Sequence, residues 1–267
     1  MAERVSSLKR LGLFFGAALL GVVLWVLVLL VAFRLDPALL AHPERIPQPV
    51  VLTYTIGLYV WLMTLVALMK RPMGGDPALH YGFRFDGRRL ALGAGLGLIG
   101  VLILMAVEVL AGWTLLRMPS TWPLGVLAGS LVTALAFAVS EELLFRGLFF
   151  RTLLLDHPPV RAILLSSVLF AALHFLRPNL AWTDLIPFLG LLTAGSVLAY
   201  AAWKSGSLWL PIGIHAGWVF FISVSDQLGL WTYTPPYLWL TGQSGPSSGL
   251  LGMILLLTML PLIKRHA

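Results

Sequence analysis

Glu141, Glu142 and Arg146 stand together in the run Glu141-Glu142-Leu143-Leu144-Phe145-Arg146-Gly147, and His174 and His215 follow at long intervals. All five fall within apolar stretches. Glu142 and Arg146 are four apart, so on a helix they share a face and can pair. Glu141 is turned about 100° from its neighbour. One carboxylate can then be held by Arg146 while the other points elsewhere. A carboxylate and two imidazoles in an apolar setting suit the activation of water. One histidine can share the proton work or bind a metal, and the other can donate to a developing oxyanion. That chemistry is hydrolysis of a peptide or ester bond without a serine, cysteine or aspartate nucleophile.

Competing chemistries have less support. The chain has no cysteine, which removes disulfides, thiol nucleophiles and Cys-held metal clusters. No His-Glu-x-x-His pair is present. Met73-Gly74-Gly75-Asp76 approaches the Gly-x-Gly-Asp of aspartyl intramembrane proteases, but departs at its first position and lies in a loop. No Gly-x-Ser-Gly nucleophile site falls in an apolar stretch. Gly95, Gly97 and Gly100 do spell Gly-x-Gly-x-x-Gly, but inside an apolar run with no strand before it. With Gly93 they read as close helix packing.

The elements that must carry these residues are membrane spans. The 267 residues are 59% hydrophobic, with 18 Lys or Arg against 11 Asp or Glu. Mean hydropathy is +0.92. A soluble domain carries about 25% charged residues, more than twice the share here. A water-soluble globule, a disordered chain and a nucleic-acid binder are excluded. Spans of about 20 apolar residues are expected at Leu11–Phe33, Val50–Met69, Leu90–Trp113, Trp122–Ser140, Val160–Leu176, Leu185–Trp203, Leu208–Val224 and Leu250–Ile263. The fourth continues, amphipathic, through Glu141 and Arg146 toward Leu155. The fold expected is all-α, a polytopic bundle of about eight transmembrane helices.

Eight spans put both termini on one side. That side holds Arg4, Lys9, Arg10, Lys70, Arg71, Arg84, Arg88, Arg89, Arg151, Arg161, Lys204, Lys264 and Arg265; the other holds Arg34, Arg45, Arg117 and Arg177. By the positive-inside rule the termini are cytoplasmic. The location expected is multi-pass in a bacterial-type cytoplasmic membrane, with the lipid bilayer as partner and no nucleic acid. Residues 1–119 hold three spans and a cytoplasmic loop at 71–89. Residues 120–225 form the catalytic core, and 226–267 an outer loop and the last span. There is no internal repeat.

Ionisable groups within spans are costly and mark function by default. Of the acids only Glu108, Glu141 and Glu142 fall there, of the histidines only His174 and His215, and of the bases only Arg146. Glu141 and His215 lie at a similar depth, roughly 15 Å from the cytoplasmic end at 1.5 Å per residue. His174 sits somewhat deeper. Glu108, near the outer end of its span, reads as structural or interfacial.

Around these residues the sequence resembles the CAAX protease and bacteriocin-processing (CPBP, or Abi) family of intramembrane peptidases. Glu141-Glu142-Leu143-Leu144-Phe145-Arg146-Gly147 resembles its Glu-Glu-x-x-x-Arg motif with a following Gly. Phe170-Ala171-Ala172-Leu173-His174 is similar to its Phe-x-x-x-His, and His215-Ala216-Gly217-Trp218-Val219 to its His-x-x-x-Asn or Asp. The resemblance implies about eight spans around an intramembrane cavity. It implies that Glu141 and His174 activate water and that His215 stabilises the oxyanion, with Glu142 and Arg146 completing the first motif. Val219 departs from the family's last donor, and the sole asparagine, Asn179, lies in a loop. Glu141, His174 and His215 could hold one divalent metal such as zinc, or work without it. The expected activity is an intramembrane endopeptidase acting on a membrane-associated peptide or protein. The alternative is a non-catalytic membrane protein of the same fold, a bacteriocin-immunity factor or scaffold.

Overall fold

The computed structural model describes residues 6–42, 45–69, 82–176, 180–233, 238–242 and 249–266. Met73–Asp76, most of the 71–89 loop, Arg177 and Asn179 lie outside them. Two compact units divide the chain, residues 1–79 and 80–267.

The first unit is a helical hairpin. Helix α1 (Ser7–Ala32) is capped by the Ser6 hydroxyl, which accepts from the Lys9 amide. A 3-10 turn, Pro37–Ala41, is capped by Asp36. Helix α2 (Gln48–Leu68) carries Pro49 in its first turn, where a missing N–H costs nothing. The two helices interlock through glycine: Gly21 faces the Trp61 ring and Gly57 faces the Trp25 ring. The Trp25 indole N–H then donates to the Tyr54 carbonyl at 3.3 Å.

The second unit carries the site. Helix α3 (Gly87–Leu110) starts at Asp86, which accepts from the Arg89 amide at 3.0 Å. Strand β1 (Thr114–Leu116) follows, then α4 (Leu124–Glu142). A π-helical segment, Leu143–Phe150, continues α4 into the short α5 (Arg151–Leu153). Helices α6 (Pro159–His174), α7 (Leu185–Ser205) and α8 (Trp209–Leu228) come next. Strand β2 (Trp231–Tyr233), α9 (Leu238–Thr241) and α10 (Leu250–His266) complete it.

Glycine sets the main packing. Gly93 and Gly97 on α3 meet the backbone of Leu210 and Ile214, while Gly213 and Gly217 on α8 meet that of Leu90, Ala94 and Leu98. The two helices therefore run parallel with backbones in contact. A Cβ on Gly217 would stand 2.8 Å from the Ala94 carbonyl oxygen. This is the small-residue packing expected of membrane helices, with one correction. Gly95 faces open space and takes no part, and Gly100 packs on Met259 and Leu255 side chains of α10 rather than on backbone. Helices α7, α8 and α10 share a core of Val197, Leu198, Ala201, Leu210, Ile214, Leu256, Met259 and Ile263.

Helices stand at all eight expected places. Five stretches are long and apolar enough to cross a membrane: Ser7–Ala32, Gln48–Leu68, Gly87–Leu110, Leu124–Leu153 and Trp182–Ser205. The other three helices are α6 with 16 residues, α8 with 20 and α10 with 17. The chain is an all-α polytopic membrane bundle.

Two details differ from expectation. The continuation past Glu142 is not amphipathic: Leu144 through Phe150 are all buried, because Arg146 finds its partners inside the bundle. At the far end of α3, β1 and β2 pair antiparallel, Thr114 opposite Tyr233. Glu108 lies beneath this ribbon, fully buried, which fits the structural of the two roles expected for it, and accepts from the Thr114 hydroxyl at 3.2 Å.

Candidate functional site

Four helical elements bring the five singled-out side chains together. Arg146, 1% exposed, donates from Nη1 to Glu142 Oε1 at 2.8 Å. Its Nη2 donates to the Gly195 carbonyl at 3.1 Å, and its guanidinium lies over the Phe170 ring, 4.6 Å from the centroid. A buried guanidinium needs such a set of partners, since its desolvation is otherwise uncompensated. The neighbouring Phe145 ring meets Phe170 edge-on at 4.9 Å.

Glu142 serves two cations' worth of donors. The same Oε1 that accepts from Arg146 also accepts from His215 Nδ1 at 2.9 Å. That bond fixes the His215 ring, so its Nε2 turns toward Glu141, 3.9 Å from Oε2. His174 is fixed in a parallel way. Its Nδ1 lies 2.8 Å from the Phe170 carbonyl oxygen, which can only accept, so Nδ1 carries the proton. The His174 Nε2 then faces Glu141 Oε2 at 3.8 Å.

Both gaps to Glu141 exceed hydrogen-bond length. They match polar groups joined through one water. Three acceptor positions thus converge: one carboxylate oxygen and, in the neutral rings, two imidazole lone pairs. Access is graded. The side chain of His174 is 33% exposed and that of Glu141 17%, whereas Glu142 is fully buried. A substrate would reach the site from the His174 side and not meet Glu142 or Arg146.

The metal alternative can be tested on this donor set. Among the described residues, no three His, Cys, Asp or Glu side chains are gathered closely enough to hold a metal ion. The set as it stands does not fit one.

Two other donors lie near Val219 on α8, the Trp218 indole N–H and the Ser223 hydroxyl. Trp218 lines a small apolar cavity with Val101, Leu104 and Leu255. The Ser223 hydroxyl donates to Ser130 at 3.0 Å, where Gln227 also donates at 2.9 Å. Val219 is half-buried on α8 one turn after His215.

Sequence reasoning passed over Gly195, and the ring and carbonyl of Phe170. Phe170 was visible as a motif residue, though not its role. Gly195 gave no signal, since a glycine in an apolar helix is commonplace in membranes.

No curated protein and no solved structure is similar enough to the chain to count as a match. The stretch from the head of α4 into the second half of α8, residues 123–221, is similar to the family described as type II CAAX prenyl endopeptidase Rce1-like, whose model it matches.

Proposed function

We propose that the protein is an intramembrane endopeptidase that hydrolyses a peptide bond of a membrane-associated protein or peptide, with water activated by Glu141 and His174 and the oxyanion met by His215. The observation that carries this reading is the convergence of both imidazole Nε2 atoms on Glu141 Oε2, at 3.8 and 3.9 Å. A water in that gap donates one proton to Glu141 and orients its oxygen toward a substrate carbonyl entering beside His174. Glu141 takes the proton as the oxygen–carbon bond forms. The carbon–nitrogen bond then breaks, and Glu141 returns the proton to the leaving amine. The water's second proton stays with the new carboxyl group and ionises from it.

The oxyanion must be met by a donor. His215 can serve only as imidazolium, because its Nδ1–H is already given to Glu142. Glu142 beneath the ring is the countercharge for that form. Arg146 holds Glu142 in place under the ring. The name of the matched family suggests a prenylated CAAX-type substrate. Both termini are cytoplasmic in this reading, and the membrane is a bacterial-type cytoplasmic one.

The test uses purified protein and an internally quenched, prenylated peptide ending in Cys-aliphatic-aliphatic-X. Wild type cleaves it, and Glu141→Gln, which keeps shape but loses the base, does not. Cleavage persists after exhaustive chelation. A Glu141→Gln protein cutting at the wild-type rate sinks the mechanism. Loss of activity on chelation, restored by zinc, returns the metal version.

A further inference from the structure

Helix α7 brings no reactive side chain to the site, yet one of its residues touches both arms. The Gly195 carbonyl accepts from Arg146 at 3.1 Å. A Cβ on Gly195 would stand 3.1 Å from Ser167 Cβ and 3.3 Å from Phe170 Cδ1. Those separations are tighter than carbon atoms usually accept, so Ser167 and Phe170 would have to give. Glycine is a poorer helix former than alanine, so its place in mid-helix calls for such a packing reason.

Phe170 is where the arms branch. Its carbonyl holds His174 Nδ1, its ring lies 4.4 Å from the His174 ring, and its face supports the Arg146 guanidinium. From Arg146 the line continues through Glu142 to His215. We infer that Gly195 is a positioning residue for both histidines: its bare α-carbon seats Phe170 against His174, and its carbonyl aims Arg146, and through Glu142 the His215 ring. A methyl group at 195 displaces Phe170 by a few tenths of an ångström. The shift reaches His174 directly and His215 through two hydrogen bonds. The inference rests on the hydrolase reading only where it concerns rate.

The experiment is nitrogen-15 NMR of the imidazole rings of the full chain in micelles, with His174→Gln and His215→Gln assigning the signals. In wild type both rings carry a proton on Nδ1. Gly195→Ala shifts both sets of ring-nitrogen signals toward mixed tautomers. Ser167→Gly in that background, which removes the 3.1 Å contact, returns part of the shift. Gly95→Ala, where a Cβ meets nothing within 4 Å, leaves both rings unchanged. A folded Gly195→Ala protein with both wild-type imidazole signatures overturns the inference. If Gly195→Ala does not fold, Phe170→Leu decides. It keeps the carbonyl and removes the ring under Arg146, so His215 must move while His174 keeps its Nδ1 proton, and an unmoved His215 overturns the inference. With the quenched prenylated peptide, kcat of Gly195→Ala falls roughly 10- to 100-fold at near-constant KM. Moved spectra with an unchanged rate leave the positioning role standing and remove the histidines from the chemistry. Unmoved spectra remove the positioning role whatever the rate does.

Discussion

Glu141 and Glu142 are adjacent in the chain and are placed quite differently. Glu142 is sealed in, with Arg146 and His215 on one oxygen, while Glu141 faces the accessible gap between two imidazoles. The turn of about 100° between consecutive helical residues separates them, so this division was legible in the sequence. What it predicts for Arg146→Ala is a loss beyond activity. Truncation strands the fully buried Glu142 carboxylate and costs about 3–5 kcal/mol, visible as a lower midpoint in detergent unfolding; a midpoint unchanged within error contradicts the buried pair. Val219 is a second residue-scale case. It offers no hydrogen bond one turn after His215, while Trp218 lines an apolar cavity and the Ser223 hydroxyl is given to Ser130. Loss of one oxyanion donor typically costs about 100- to 1000-fold in turnover. Val219→Asn should therefore raise kcat at least several-fold, with Trp218→Phe near wild type. If Val219→Asn folds and is no faster, the oxyanion does not lie at this turn of α8.

At the scale of elements, the sequence announced most helices but not how they meet. Apolar runs located α1 through α4 to within a few residues, because a span must be long and nearly uncharged. Periodicity could not reveal the π-helical turn from Leu143 to Phe150, since the apolar residues there lie on every side. It is the segment that carries Arg146, and π turns occur often at functional sites. Nor could local patterns foresee the β1–β2 ribbon, whose partners lie more than a hundred residues apart. The glycines show the limit most clearly. Gly93, Gly95 and Gly97 look alike in sequence, yet the first and third touch α8 while the second faces open space. Hence Gly95→Ala should leave the unfolding midpoint unchanged or raise it slightly. Gly217→Ala, whose new Cβ would press on the Ala94 carbonyl at 2.8 Å, should lower it and reduce activity by parting α3 from α8 near His215. Equal midpoints for the two variants would contradict the backbone contact.

At the scale of the whole molecule, the open question is how many helices cross. Five pass on length and apolarity alone; the sequence pattern asks for eight. Packing within residues 80–267 favours eight. Helix α8 leaves α7 after a turn of only three residues, Gly206–Leu208, and lies along α3 and α4. A 20-residue helix so constrained traverses the same slab as its neighbours. Helix α6 rises only about 24 Å at 1.5 Å per residue, short of the roughly 30 Å core, but it packs along α7, as α10 also does. Shortness there has a use, because α6 ends on His174, leaving the imidazole at the level of Glu141 rather than at the surface. Parity makes the count measurable. With eight crossings the end of the chain returns to the side that holds residue 78; with five it emerges opposite. The chain lacks cysteine, so Ala78→Cys and Ala267→Cys can be labelled singly in sealed vesicles without background. Both should react only from the cytoplasmic face, the side with the larger share of Lys and Arg. Gln243→Cys should react only from outside. If position 267 labels from outside while 78 labels from inside, an odd number of helices cross, and the carboxylate and imidazoles cannot all be carried on spanning helices in the way proposed.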